Sequence, residues 1–355
     1  MTRPILARID LSALQNNLAV VRRHAPHARI LAVIKANGYG HGLLRVARAL
    51  AAADGFAVID LNDAVVLRDA GFRQHLVLLN GFYSVEELPV IAENGLTIVI
   101  HDPAQLEILA AAALPVRLDV FVKINTGMNR LGFKPEALGG ALARLRQQAA
   151  NITLMTHFAC ADDEQGIAAQ LEQFNQCTAG EKLPKSLANS AAILRYPQAH
   201  GDWVRPGIML YGASPFAEKS AHDLGLQPVM TLESRIIATQ ILQPGERVGY
   251  SGLFTAGKAM KIGVVACGYA DGYPRHAQTG TPVCVNGKIT RTLGRISMDT
   301  LCVDLSEIPA ADVGTPVTLW GAGLAVEQVA KAAGTVSYEL FTKLNARVPV
   351  VETHG

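Results

Sequence analysis

The run Ala32-Val33-Ile34-Lys35-Ala36-Asn37-Gly38-Tyr39-Gly40-His41-Gly42 ends an apolar stretch on a lysine and follows it with three glycines at alternate positions. At the carboxyl end of a barrel strand a partly desolvated ammonium has a lowered pKa and can form an imine with a carbonyl compound. The plainer reading is a lysine that snorkels to solvent beside an ordinary turn. Gly-x-Gly-x-Gly is not a dinucleotide fingerprint and no Gly-Lys-Ser/Thr follows, so nucleotide binding is set aside. Other apolar runs also end on polar residues: Lys123-Ile124-Asn125-Thr126-Gly127-Met128-Asn129-Arg130, Met155-Thr156-His157-Phe158-Ala159, Leu187-Ala188-Asn189-Ser190 and Val204-Arg205-Pro206-Gly207-Ile208. These types suit a phosphorylated aromatic cofactor. A serine hydroxyl and the backbone N–H groups around Gly207 and Ile208 could hold phosphate, His157 could stack on a ring, and Arg205 could face a ring nitrogen. Taken singly, His157 also reads as a hydrogen-bonded core histidine and Arg205 as a salt-bridged turn residue.

The elements that must carry these residues follow from periodicity. Up to about residue 210, short apolar runs alternate with Ala- and Leu-rich stretches, as repeated strand and helix units do. Strands are expected near Leu31–Lys35, Phe56–Ile59, Leu76–Leu79, Thr97–Ile100, Arg117–Ile124, Ile152–Phe158, Ser186–Asn189 and Val204–Leu210. Helices are expected at Leu43–Ala53, Val85–Asn94, Ala104–Ala112 and Ile167–Cys177, where apolar residues recur at helical spacing. This is the strand count of a (β/α)8 barrel, with a doubly wound open sheet as the alternative. After Leu226 the texture becomes β-branched and alternating, at Ile236–Leu242, Lys261–Ala266, Pro282–Val285 and Val317–Trp320. The expectation is an α/β barrel over residues 1–225 and a mostly β domain over 226–355.

Composition narrows the classes of function. The 355 residues leave room for a large domain and a smaller one, and 50% hydrophobic against 17% charged residues excludes a disordered or coiled-coil chain. Thirty-two Lys and Arg against thirty Asp and Glu, with no dense basic run, argue against nucleic acid and membrane surfaces as partners. No charge-free stretch reaches the roughly 18 residues of a membrane span, and the first ten residues carry Arg3, Arg8 and Asp10 in place of a secretory core. The five cysteines form no C-x-x-C pair, which fits reduced thiols in a cytoplasmic protein and no metal site.

Together AVIKANGYGHG, KINTGMNRLGF, THFACAD, LANSAA, VRPGIMLYG, GERVGYSGLF, GYADGYPR and LGRISMD resemble, in order and over essentially the whole chain, the bacterial alanine racemases, and among them the catabolic type. That resemblance implies a pyridoxal 5'-phosphate enzyme with a (β/α)8 barrel and a β domain, acting as a homodimer with shared active sites. It implies that Lys35 forms the imine with the cofactor, that Tyr39, Ser190, Gly207 and Ile208 bind its phosphate, that Asn189 is a further cofactor-binding residue, and that Arg205 faces the pyridine nitrogen. His157 would lie against the ring and Arg130 near the phenolic oxygen and the substrate. Tyr250 would be the second acid/base residue, contributed by the partner subunit. Met298 would fix the substrate carboxylate through its backbone, with Tyr269, Arg295, Asp299 and Asp162 around the way in. Two positions depart from the pattern. Relatives often carry Lys-x-Asp-Thr-Gly-Met with a carbamylated lysine, where this chain has Lys123 followed by Asn125; and they close with Arg-Val-Pro-Arg and a nearby tyrosine, where this chain has Arg347-Val348-Pro349-Val350.

Inverting an α-carbon needs one acid/base group on each face, and Lys35 and Tyr250 are the expected pair. The product D-alanine would serve cell-wall synthesis, alanine breakdown, or both. The rival readings are a non-catalytic pyridoxal-phosphate barrel protein, which would lack the second domain and Tyr250, a racemase of broader specificity, and a barrel-type amino-acid decarboxylase.

Overall fold

Runs of β-branched and aliphatic residues with no polar alternation are suited to strands covered on both faces, as in parallel sheets. The computed structural model, which describes residues 3–354, contains eight such strands between Arg29 and Val204. The strand β1 (Leu6–Asp10) precedes them and belongs to a different sheet. Then come β2 (Arg29–Val33), β3 (Gly55–Val58), β4 (His75–Leu78), β5 (Thr97–Ile100), β6 (Val120–Lys123), β7 (Ile152–Met155), β8 (Lys185–Ser186) and β9 (Trp203–Val204). They pair in parallel in the order β8-β7-β6-β5-β4-β3-β2-β9. Hydrogen bonds from Asp202 N to Lys185 O (2.8 Å) and from Arg205 N to Ala188 O (2.9 Å) join the two ends, so the sheet closes into the expected barrel. Helices such as Leu43–Ala49, Pro103–Ala111, Pro135–Gln148 and Ala168–Cys177 connect the strands. Asp102 caps the second of these by accepting from Ala104 N, with Pro103 at its first position.

Several strands are shorter than periodicity suggests. The eighth was expected over Val204–Leu210 but ends at Val204, because Pro206 cannot donate to a ladder, and Ile208–Tyr211 forms a 3-10 turn instead.

The later strands are β10 (Met230–Leu242), β11 (Arg247–Val248), β12 (Phe254–Thr255), β13 (Met260–Val265), β14 (Pro282–Val285), β15 (Lys288–Leu293), β16 (Leu301–Asp304), β17 (Pro316–Trp320) and β18 (Val350–Thr353). The thirteen-residue β10 pairs with β17 along its first half and with β13 along its second. Register shifts at Leu232/Glu233 and Ile236/Ala238 let it bend between them. The pairings β10-β13-β16-β15-β14-β17-β10 therefore form a ring, mostly β as expected. On the other side β10 pairs with β1, which in turn pairs in parallel with β18.

The chain divides into two compact units that are not consecutive in sequence. Of the described residues, one comprises 17–38 and 42–210; the other comprises 3–16, 39–41 and 211–354. The division expected at 225/226 is linear, and the units are not. Strand β1 is too short and too charged, with Arg8 and Asp10, to stand out by periodicity, yet it supplies a rib of the later unit.

Candidate active site

The barrel unit gathers its polar residues at the carboxyl ends of its strands. Lys35 follows β2 and is partly exposed. The backbone then turns left-handed, with φ of 53° at Ala36, 54° at Asn37 and 59° at Gly38. Left-handed backbone costs roughly 1–2 kcal/mol per non-glycine residue, so it persists only where neighbours fix it. Here Gly38 N donates to Ile34 O (2.9 Å), and the Asn37 side chain accepts from Leu43 N (2.9 Å). The lysine is thus anchored on both sides, by β2 before it and by this turn after it.

Arg205, just past β9, is 5% exposed. Its guanidinium donates to Ser186 Oγ (2.8 Å), Thr156 O (2.7 Å) and Leu187 O (3.3 Å), and lies 3.4 Å from His157 Nδ1. Thr156 Oγ1 in turn meets Thr126 Oγ1 at 2.7 Å and donates to Ile124 O, so the ends of β6, β7 and β8 are tied to one arginine. Asn189 caps the short helix Ser190–Arg195 by accepting from Ala192 N and donates to Phe158 O (3.3 Å). Ser190 Oγ accepts from Gly207 N (2.9 Å), bringing the seventh and eighth strand ends together, with Ile208 fully buried beside them. Arg130 is exposed at the end of the loop after β6. That loop is shaped by Asn125, whose Oδ1 accepts from Gly127 N (3.1 Å) and Asn129 N (3.0 Å). Asp162 is exposed on the loop after β7.

The electrostatics of this cluster run one way. Burial lowers the Lys35 pKa, and Arg130 lowers it further. Burial, then Arg205, Arg130 and Lys35, bring Lys123 down to about 8. Arg205 is lowered to about 10 by burial. Burial and then Arg205, Lys123, Arg130 and Lys35 hold His157 well below its usual range, so its imidazole is neutral. The charges that lower Lys35, Lys123 and His157 are all cations. Such a set is suited to an anionic guest. Lys123, which heads one of the polar runs, ends β6 with 9% exposure, inside the charge cluster. One member escaped the sequence reading: His101, after β5, which feels the charge of Lys123 and lies 3.2 Å from Asn80 O. It follows a strand end, which is the signal that could have found it.

The remaining site residues belong to the other unit. Tyr39 is buried and stacks on Tyr211, with ring centroids 4.6 Å apart; burial and then Tyr338 raise its pKa, so its hydroxyl keeps its proton. Tyr250 stands between β11 and β12 with 70% exposure. Its turn is left-handed at Gly249, Ser251 and Gly252, while Val248 beneath it packs in a cluster with Ala256, Met260, Ile262 and Leu293. Met298 is exposed and Tyr269 partly so, with the Arg275 guanidinium 6.0 Å from the Tyr269 ring. Tyr269 N donates to Ser297 O and Ala270 N to Met298 O, both at 3.0 Å, so the two substrate-side candidates share one backbone pairing. Arg295 and Asp299 flank Met298 in sequence.

Comparison with known proteins agrees with this architecture. The family model for the alanine racemase N-terminal domain matches residues 9–215, and that for the C-terminal domain matches residues 229–352. An alanine racemase of Nitrosospira multiformis is 58% identical, covering 98% of this chain and 99% of its own length. A catabolic alanine racemase of Klebsiella aerogenes is 50% identical with 99% of each chain covered. The crystal structure of the biosynthetic alanine racemase of Pseudomonas aeruginosa superposes with a TM-score of 0.98 at 46% identity, covering 99% of this chain and all of that one. No helix among the described residues is long and apolar enough to cross a membrane. The chain belongs to the alanine racemase family.

Proposed function

We propose that the protein interconverts L-alanine and D-alanine in the cytoplasm with pyridoxal 5'-phosphate at the barrel mouth, as a homodimer in which Tyr250 of the partner subunit completes each site. The observation that carries this reading is the barrel mouth itself, where Arg130 acts on Lys35 and where Arg205, Arg130 and Lys35 act on Lys123, so that cations crowd the strand ends. A phosphate, a ring oxygen and a substrate carboxylate are the anions such a set would balance. The donor chemistry also fits: the Ser190 hydroxyl, whose oxygen accepts from the Gly207 N–H, keeps its own proton to offer a phosphate. Lys35 would hold the cofactor covalently. Arg205 can only donate, and its rigid bonds to Ser186, Thr156 and Leu187 would keep that donor aimed at a ring nitrogen.

When bound, the cofactor acidifies the α-hydrogen of an amino acid by withdrawing electrons into its ring. The protein then has to move two protons. The lowered pKa of Lys35 favours a neutral amine that can take a proton from one face of the substrate. The exposed phenol of Tyr250 is free to reach a partner's site and exchange a proton on the opposite face. Arg130, Met298 and Tyr269 would orient the substrate.

Borohydride treatment of the loaded protein followed by peptide mapping should label the peptide containing Lys35, and the protein should abolish the optical rotation of L-alanine. A protein that stays colourless and leaves that rotation unchanged after pyridoxal phosphate is added would overturn the reading.

A further inference from the structure

Asp271 is fully buried, yet it receives two arginines from the two ends of the chain. Arg3 binds it through both nitrogens, at 2.7 Å to Oδ1 and 2.9 Å to Oδ2, and Arg347 Nε reaches Oδ1 at 2.7 Å. The same two arginines also hold Asp299, Arg3 through its backbone oxygen (3.1 Å) and Arg347 through its carboxylate (2.7 Å). Asp271 Oδ2 accepts from Gly268 N (2.9 Å), and its backbone oxygen accepts from Asn345 N (3.1 Å).

Asp271 and Asp299 each lie next to a residue of the substrate-side pair or within two positions of one. Tyr269 lies between Gly268 and Asp271, and Met298 immediately precedes Asp299. The segments touch at backbone distance: a Cβ on Gly268 would lie 2.3 Å from Met298 O and 2.4 Å from Ser297 O, so only glycine fits there. Burial alone would raise the Asp271 pKa; the bonds from Arg3, Arg347 and Gly268 outweigh it and hold the carboxylate ionised.

We propose that Asp271, clasped by Arg3 and Arg347, is a positioning group that fixes Tyr269 and Met298 for substrate binding. This rests on the reading above that those two residues meet the substrate. A group that only places substrate contacts made equally before and during reaction changes KM and leaves kcat alone, whereas a merely structural staple lowers the active fraction at constant KM.

The test uses the full-length, pyridoxal-phosphate-loaded protein with Arg347→Ala, Arg3→Ala and Arg347→Lys. For the alanine variants KM for both alanine enantiomers should rise about tenfold, with kcat held within about twofold. Arg347→Lys should recover part of the loss. Amide exchange, which needs no turnover, should speed up in residues 268–273 and 297–300 of the cofactor-free variants. Should Arg347→Ala fail to fold, Arg3→Ala and Arg347→Lys carry the same comparison. Unchanged KM with lowered kcat, or unchanged exchange in those two segments, overturns the proposal. A wild-type protein that does not racemise alanine overturns the functional reading instead, and the exchange measurement still judges the clasp.

Discussion

The barrel mouth and the clasp of the later unit handle charge in opposite ways. At the mouth, burial and then neighbouring cations depress the pKa values of Lys35 and Lys123, and burial depresses that of Arg205. In the clasp, Arg3 and Arg347 face Asp271 and Asp299, and the charges balance within the protein. On the proposed function, the first is a surface whose charge a ligand would complete; the second is a finished joint. An unbalanced cluster is tolerated where a ligand supplies the missing charge, and a balanced one where geometry must hold without a ligand.

Four measurements would break or sharpen that contrast. The largest effect belongs to Lys35→Ala, which should cost at least the roughly 10²–10⁴-fold typical of a general base and abolish borohydride labelling of that peptide; a coupled D-alanine assay measures it. Tyr250→Phe should slow α-proton exchange in heavy water far more from one alanine enantiomer than from the other, and equal slowing would remove the two-face assignment. In urea unfolding of cofactor-free protein, the two regions should respond with opposite signs. Asp271→Asn should destabilise by about 1–3 kcal/mol, because its arginines lose their partner, while Lys123→Met should stabilise by an amount on the order of 1 kcal/mol, because a disfavoured buried ammonium is removed.

The smallest effect is the pH dependence that Lys123 contributes. Its pKa falls from 10.5 to about 8 on folding. Below the folded value both states hold the proton and the burial penalty is fully present. Between about 8 and 10.5 the unfolded chain retains a proton that the folded one has released, so this contribution to stability rises with pH. The difference in melting temperature between wild type and Lys123→Met should accordingly shrink across that window, and a constant difference would assign the lysine an ordinary pKa.

Much of the mouth was legible in sequence because each of its residues follows an apolar run. Lys35 after Val33-Ile34 and Arg205 after Trp203-Val204 are local signals, since a strand end announces itself within a few positions. The charge balance was not legible. That Lys123 lies among other cations depends on which strands neighbour which, and the order β5-β6-β7 enters no periodicity. The clasp was hidden for a stronger reason. Arg3 and Asp271 are 268 positions apart, and nothing in GYADGYPR tells that its aspartate is buried under both chain ends. Strands β15, β16 and β18 also escaped; Lys288–Leu293 and Val350–Thr353 each carry charged residues and exposed positions that blur the apolar pattern.

The pairing of Ala7 with Val350 has a consequence for biosynthesis. Residues 17–210 leave the ribosome early and hold all eight ribs of the barrel, so that part can fold while translation continues. The other module must keep its opening strand waiting for a companion synthesised more than three hundred residues later, and a nascent chain stalled short of Val350 leaves that edge bare to whatever else can zip onto it.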